Sequence, residues 1–267
     1  MVANVDELLK KHQLDIHELR TCLADVLLPA EYDDIRLLRY VLSYPKLGIA
    51  SEQVRKGLKF RKENEDWLGA AWKGGSPPYE SEVTQYCKMG VHGESNGMLY
   101  FYMRSGKAIR KLKELPAKEL APLCERVTKF LTFVKEAIFA KCEEKTRKTR
   151  LLTKFVNVHT DMAEFPYWAN MTFIKMFKET SLHSTFLHPQ LMHKQAVLNP
   201  PRVFFYVWKI AKPLLPKKTV ERMVFCPTND FLSTVVSNLD PVLVPRVAGG
   251  ACKCSSDEEC LPGFNLC

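Results

Sequence analysis

The sequence predicts an α/β protein in which a helical N-terminal segment precedes a largely parallel sheet flanked by helices. Three observations predict it. From Val5 to about Glu63 the apolar residues recur at helical spacing. From Met98 onward, short β-branched or aromatic runs alternate with helical stretches, the pattern of parallel strands joined by crossover helices. A content of 46% hydrophobic and 26% charged residues over 267 positions supplies a core and excludes a broadly disordered chain.

Leu8, Leu9, Leu14, Ile16 and Leu19 form the first helical set, and Ile35, Leu37, Leu38, Val41 and Leu42 the second. SEQVRKGLKFRKEN then reads as an amphipathic helix with Ser51 as its N-cap. GAAWKGGSPPYES, Gly69–Ser81, is rich in Gly, Pro and Ser and reads as a linker. It divides a helical segment, 1–75, from the α/β part, 76–250, and a cysteine-rich tail follows at 251–267. MLYFYM, Met98–Met103, reads as a strand entered through an Asn96-Gly97 turn. Ala117–Arg150 is one long helix starting after Pro116, Thr153–Asp161 a strand, and Phe173–Leu187 a helix. Gln195–Asn199 is strand, Phe204–Leu215 helix, Arg222–Cys226 strand and Asp230–Leu239 a short helix.

The formal charge of +9 favours anionic partners such as lipid headgroups, phosphates or nucleic acid. No nucleic-acid-binding motif accompanies it, so nucleic acid is not assigned as a partner. Residues 1–20 are amphipathic without an apolar signal core, and no apolar run approaches the roughly 18 residues of a membrane span. A cytoplasmic location is the expectation.

Catalytic and metal motifs are weak. GESNG, Gly93–Gly97, fits G-x-S-x-G with Ser95 as nucleophile, but it precedes a strand where a nucleophile elbow follows one. RSGKA around Lys107 lacks the upstream glycine of a phosphate-binding loop. His183, His188 and His193 recur every five residues, whereas a helical metal pair needs three or four. Cys252, Cys254, Cys260 and Cys267 crowd the tail at C-x-C-x5-C-x6-C, not a standard zinc spacing. They read as an inert flexible tail, against the alternatives of a metal clasp or a disulfide-linked loop. No enzyme activity, cofactor or metal is assigned.

LNPPRVFFYVWKIAKPLLPKKTVERMVF, Leu198–Phe225, is the informative stretch. Asn199-Pro200-Pro201 ends a strand. The helix that follows puts Phe204, Trp208, Ala211 and Leu215 on one face and Val203, Val207, Ile210 and Leu214 on the next. Exposing about five such side chains would forgo very roughly 10 kcal/mol. Protein, ligand or membrane must cover them.

The order of these pieces resembles the CRAL-TRIO lipid-binding family, which includes the fungal phosphatidylinositol transfer protein, over roughly residues 30 to 250. LLRYVLSYPKLGIASEQVRKGLKFRKEN resembles its helical N-terminal segment, NGMLYFY its hairpin strand, and VNVHTDM the strand that ends at an I-x-D-L motif, with Asp161 at the Asp. HPQLMHKQAVLNPPRVFFYVWKIAKPLLPKKTVERMVF resembles the Y-P-E-R…I-I-N-A-P…F…W…K-P-F-L…T…K-I run, and VLVPRVAGG the closing L-P-x-x-Y-G-G.

The resemblance implies a sheet and helices enclosing a hydrophobic cavity. Phe204, Phe205, Val207, Trp208, Ala211, Leu214 and Leu215 would form a mobile gate, and Lys209, Lys212, Lys217 and Lys218 would meet anionic headgroups. It assigns Thr219, Arg222 and Gln190 to the headgroup, and Tyr100, Tyr102, Val156, Val158 and Asp161 to the ligand wall. The family's Glu and Arg of Y-P-E-R are Gln190 and Leu191 here, and its Tyr is His188, so the headgroup stays unnamed. The implied function is a monomeric lipid-binding or lipid-transfer protein. It would carry one phospholipid or other hydrophobic molecule and touch anionic membranes peripherally. A lipid-sensing module without transfer is the alternative.

Overall fold

The structure, a computed structural model, describes residues 3–26, 30, 32–167, 170–227, 239–254, 260 and 261. The expected helix at Asp230–Leu239 and the tail cysteine Cys267 lie outside these residues, Leu239 excepted.

The N-terminal layer is helical as the spacing requires. It comprises α1 (Val5–Lys11), α2 (Gln13–Cys22), α3 (Asp34–Ser43), α4 (Leu47–Glu63) and α5 (Glu65–Leu68). Asn4 caps α1 by accepting from the Asp6 and Glu7 amides, and Asp33 caps α3 by accepting from the Arg36 amide. Leu19, Leu23, Leu37, Leu38, Tyr40 and Val54 close the shared core. One boundary is corrected: α4 begins at Leu47, so Ser51 is a buried interior residue and not a cap. Its place in the fold follows from packing, which overrides a single polar residue's preference.

The expected linker is also corrected. Gly69–Lys73 forms a 3₁₀ turn and Glu80–Thr84 forms α6. Trp72 turns the segment inward, donating its indole N–H to Glu136 at 2.6 Å and packing edge-on against Phe139. A half-buried, hydrogen-bonded aromatic anchor outweighs the Gly-Pro composition around it.

The sheet runs in the order β1 (Met89–Ser95), β2 (Met98–Met103), β3 (Lys154–His159), β4 (Met192–Leu198), β5 (Met223–Cys226). β1 and β2 form the antiparallel hairpin through Asn96-Gly97, both at positive φ, and the other three pairings are parallel. Strand β1 is missed by sequence because its two glycines interrupt the apolar alternation. Parallel strands need crossovers. Here α7 (Ser105–Lys113) and α8 (Ala117–Thr149) lead to β3, α9 (Met171–Leu187) to β4, and α10 (Arg202–Ala211) with α11 (Lys217–Glu221) to β5.

Because the strands add in one direction, the crossover helices share one face. Phe101 and Phe155 pack under α8, and Val197 under α7, α9 and α10. The other face holds Tyr100, Tyr102, Val156, Val158, Ala196 and Leu198. Leu239, Val244 and Ala248 cover it, together with Cys252, Cys260 and Leu261. The tail, expected to be inert and flexible, is therefore partly a buried lid on the back of the sheet.

Candidate functional site

Between the sheet and its helices lies an apolar cavity of two adjoining lobes, each about 110 Å³. Ile109 of α7 and Phe173 and Phe177 of α9 wall both lobes. Helix α10 closes one of them with Phe204, Val207, Trp208 and Ala211, and Leu215 extends the same wall. Phe204 lies parallel to Trp208 with ring centres 6.4 Å apart, and Phe225 meets both edge-on. The helical spacing of these residues fixes their common direction, so they wall the cavity together.

Phe205 and Leu214 are not part of the lining. Phe205 is 40% exposed on the outer side beside Tyr206 (62%) and Ile210 (42%), and Leu214 borders an outer groove with Phe60 and Trp67. Lys209, Lys212, Lys217 and Lys218 are exposed on the same stretch. Thus α10 is apolar on its inner side and carries exposed apolar and basic residues on its outer side.

The expected ligand wall is corrected. Tyr100, Tyr102, Val156 and Val158 point to the back face, since the pleat alternates and Phe155, Asn157 and His159 take the cavity side. Asp161 follows the strand at φ +58 and pairs with Arg104 at 2.6 Å, so it anchors the start of α7 and does not line the cavity.

What faces the cavity is a polar group that sequence reading missed. His159 Nδ1 is 2.7 Å from Ser105 Oγ, and its Nε2 is 2.8 Å from Gln195 Nε2 and 3.2 Å from Asn157 Nδ2. Burial and the nearby charge of Lys135 hold His159 down to about 4, so it is neutral. With the amides oriented as assigned, Nε2 accepts and Nδ1 donates to Ser105. His159 then has no lone pair to take the Ser105 proton, and the pair is not a nucleophile with its base. Asn157 Oδ1 is buried and has no partner among the described residues. The floor therefore offers one acceptor and one hydroxyl to a polar group on an otherwise apolar ligand.

This histidine sets a pH dependence. Its folded pKa lies below the unfolded value of about 6.5, so the unfolded chain binds the extra proton and stability falls as pH drops from 7 towards 4. Roughly 2 kcal/mol is lost by pH 5. Urea midpoints at pH 7 and pH 5 check it: His159→Gln should remove about that share of the difference, the rest coming from His183, His188 and His193, which burial also holds down, and an unchanged difference would refute the assignment.

A second, polar pocket of about 60 Å³ adjoins the cavity through Thr219 and Ser181. Arg222, Thr219 and Gln190, the expected headgroup residues, all line it with Tyr44 and Lys218. Gln190 is already committed, since its amide donates to the Leu42 carbonyl at 3.0 Å and accepts from Lys154 at 3.0 Å. Burial, Arg222 and Arg39 push Lys154 down to about 8. Lys218 donates to the Ser43 carbonyl and sits 4.4 Å over the Tyr44 ring. No carboxylate lines the pocket, and among the described residues the Arg222 guanidinium is offset only by the charge of neighbouring Glu221 and by Tyr44. A guanidinium and a threonine hydroxyl in one pocket are chemically able to hold an anion.

The remaining sequence candidates resolve structurally. His183 bonds Thr132 at 3.0 Å and His188 bonds Glu136 at 2.8 Å, so the five-residue histidine spacing builds no metal pair. Ser95 closes the β1–β2 hairpin opposite Met98. No helix among the described residues is long and apolar enough to cross a membrane.

A largely parallel sheet with its crossovers on one face and an apolar cavity beneath them, closed on one side by α10, define a cavity-bearing α/β fold. Residues 84–250 match the CRAL/TRIO domain, and the chain belongs to that family. It is 24% identical over 250 residues to the phosphatidylinositol/phosphatidylcholine transfer protein SFH9 of Arabidopsis thaliana, covering 88% of this chain and 40% of that protein. The chain thus spans about two fifths of that relative's length. The crystal structure of Sfh5 shares the fold with a TM-score of 0.57 at 15% identity, over 77% of this chain and 70% of that one.

Proposed function

We propose that this chain is a monomeric, non-catalytic carrier of one phospholipid or other hydrophobic molecule, which it exchanges at anionic membrane surfaces. The observation that carries the reading is the continuity of three surfaces. An apolar cavity runs under α10, the outer side of α10 is apolar and basic, and Arg222 lines a pocket that adjoins the cavity and holds no carboxylate.

Two lobes of about 110 Å³ are smaller than the roughly 300–1,000 Å³ of a drug-sized site. A diacyl lipid therefore enters only when α10 swings outward. In that position the aromatic inner face meets acyl chains, and Lys209, Lys212 and Lys217 meet anionic headgroups, each contributing about 1 kcal/mol. On closure, the acyl chains replace the bilayer against the same side chains, and the phosphate reaches Arg222 and Thr219.

Native mass spectrometry with organic extraction of the bound mass tests this, on the wild type and Arg222→Ala together. The wild type should carry one lipid after incubation with mixed vesicles. Charge-assisted hydrogen bonds of about 1.5–3 kcal/mol imply that Arg222→Ala loses roughly 10–100-fold in phospholipid loading and little in sterol loading. A wild type that takes no lipid overturns the carrier reading; equal retention of both ligands removes Arg222 from the headgroup site.

A further inference from the structure

We infer that His92, Cys252, Cys254 and Cys260 form a structural zinc site that fastens the C-terminal segment to the back of the sheet. The four ligand atoms all lie within 4.8 Å of one another. Cys252 Sγ is 3.0 Å from Cys260 Sγ, which is 4.0 Å from His92 Nε2. Zinc bonds of about 2.3 Å to sulfur and 2.0–2.1 Å to nitrogen place tetrahedral ligand atoms roughly 3.4–3.8 Å apart. The two observed separations bracket that range, so the ion fits with small side-chain adjustments.

The donor set points to zinc in particular. Three thiolates and one imidazole fill a tetrahedron and leave no open position, the composition of a structural zinc site. Soft thiolates disfavour calcium and magnesium. Two of the cysteines, Cys252 and Cys260, are 5% and 6% exposed, so the site is largely shielded from water.

The fold aims these groups at one point. The β1–β2 register shifts between Val91 and Glu94, which leaves His92 and Gly93 together opposite Tyr100. Such a bulge bends a strand and re-aims a side chain. Gly93 adopts φ +89, and a Cβ there would sit 2.4 Å from the Leu243 carbonyl oxygen, so only glycine lets the C-terminal segment come this close to His92. The His92 ring rests edge-on against Tyr102 with centres 6.5 Å apart. On the other side, the Cys252 amide donates to the Val244 carbonyl and Arg246 Nη2 donates to the Cys254 carbonyl at 2.8 Å. Both partners of the clasp are thus held by backbone contacts before any ion arrives.

A clasp has a physical purpose here. Over 239–254, regular structure is limited to two 3₁₀ turns, Pro241–Leu243 and Arg246–Ala248. Yet this segment covers Tyr100, Tyr102, Val156 and Val158. One ion joins it to a strand about 160 positions earlier, closing a long loop and restricting the unfolded chain. The site lies on the face opposite the lipid cavity, so its test is independent of lipid carriage.

The full chain, expressed with zinc in the medium and purified without chelator, should hold about one zinc per molecule by mass-spectrometric metal analysis. Exchange with cobalt should give the ligand-field bands of a tetrahedral ion and a thiolate-to-metal charge-transfer band. His92→Ala and Cys254→Ser should each cut zinc content at least about tenfold, the effect expected for loss of a ligand from a four-coordinate site. Should a variant fail to fold, the wild-type cobalt spectrum decides alone. Absence of metal after zinc incubation, a disulfide among the three cysteines in the intact mass, iron or copper in place of zinc, or a cobalt spectrum without thiolate character would each overturn the site.

Discussion

Glu143→Ala should destabilise the protein by about 3–5 kcal/mol, the range for removing one partner of a buried ion pair. Glu143 is fully buried on α8, with Arg36 at 2.7 Å and Arg39 at 3.4 Å, both from α3 and both buried. Arg147 reaches the same carboxylate at 3.0 Å and continues to Asp33 at 2.8 Å. Truncation leaves two guanidinium groups in the core facing each other without an anion. The aromatic faces of Trp72, 4.3 Å from Arg36, and Tyr32, 4.9 Å away, offset only part of that cost. Since a domain's whole stability is about 5–15 kcal/mol, a large share of it is at risk. Urea unfolding reads the effect, and a loss below about 1 kcal/mol would mean that water reaches the arginines and screens them. Glu143→Gln should fall in between, because it retains hydrogen-bond acceptance while removing the charge. Replacing Arg36, Arg39 and Glu143 together by apolar residues of similar volume should cost far less than Glu143→Ala alone. The network's role is to fix how α3 seats on α8.

The contrast between what the residues reveal and what they hide follows from packing. The apolar inner side of α10 was readable because Phe204, Trp208 and Ala211 repeat at helical spacing, and Asn96-Gly97 forces a hairpin whatever surrounds it. The ligand wall was not. MLYFYM and KFVNVH are covered on both faces, so their apolar residues alternate without saying which parity meets the cavity. The usable signal was polar: Asn157, His159 and Gln195 share one face of two buried strands, and a buried strand seldom carries polar groups without a use. Thr219 and Arg222 were found through one local run, because four residues of chain hold them together at the mouth of the polar pocket. The cysteine cluster stayed hidden for the opposite reason. Its histidine comes from β1, and only the bulge at Gly93 brings it to the tail.

Trp208→Asp, and equally Phe204→Asp, should reduce vesicle-to-vesicle lipid transfer to background while the far-ultraviolet circular dichroism stays close to wild type. Both rings line the cavity from α10 and neither is fully buried, and both pack on Phe225 of β5, so either change lowers stability while the sheet and the remaining helices keep their own core. Under the proposed carrier function, transfer should depend on them in both positions of α10. When α10 is closed, an aspartate would place a carboxylate against acyl chains, and burying an unpaired charge costs several kcal/mol or forces the lid open. When α10 is open on an anionic membrane, the same carboxylate is repelled by the headgroups and forfeits the 1.5–3 kcal/mol gained by burying a large apolar side chain. Each penalty alone corresponds to at least tenfold in rate or occupancy, and together they exceed 100-fold. Tyr206→Asp separates the two. Tyr206 is 62% exposed on the outer face, so this change should weaken membrane docking and leave lipid already loaded in place. Normal transfer by Trp208→Asp would show that lipid passes without α10 moving. Loss of loaded lipid from Tyr206→Asp would show that the outer face also supports the closed cavity.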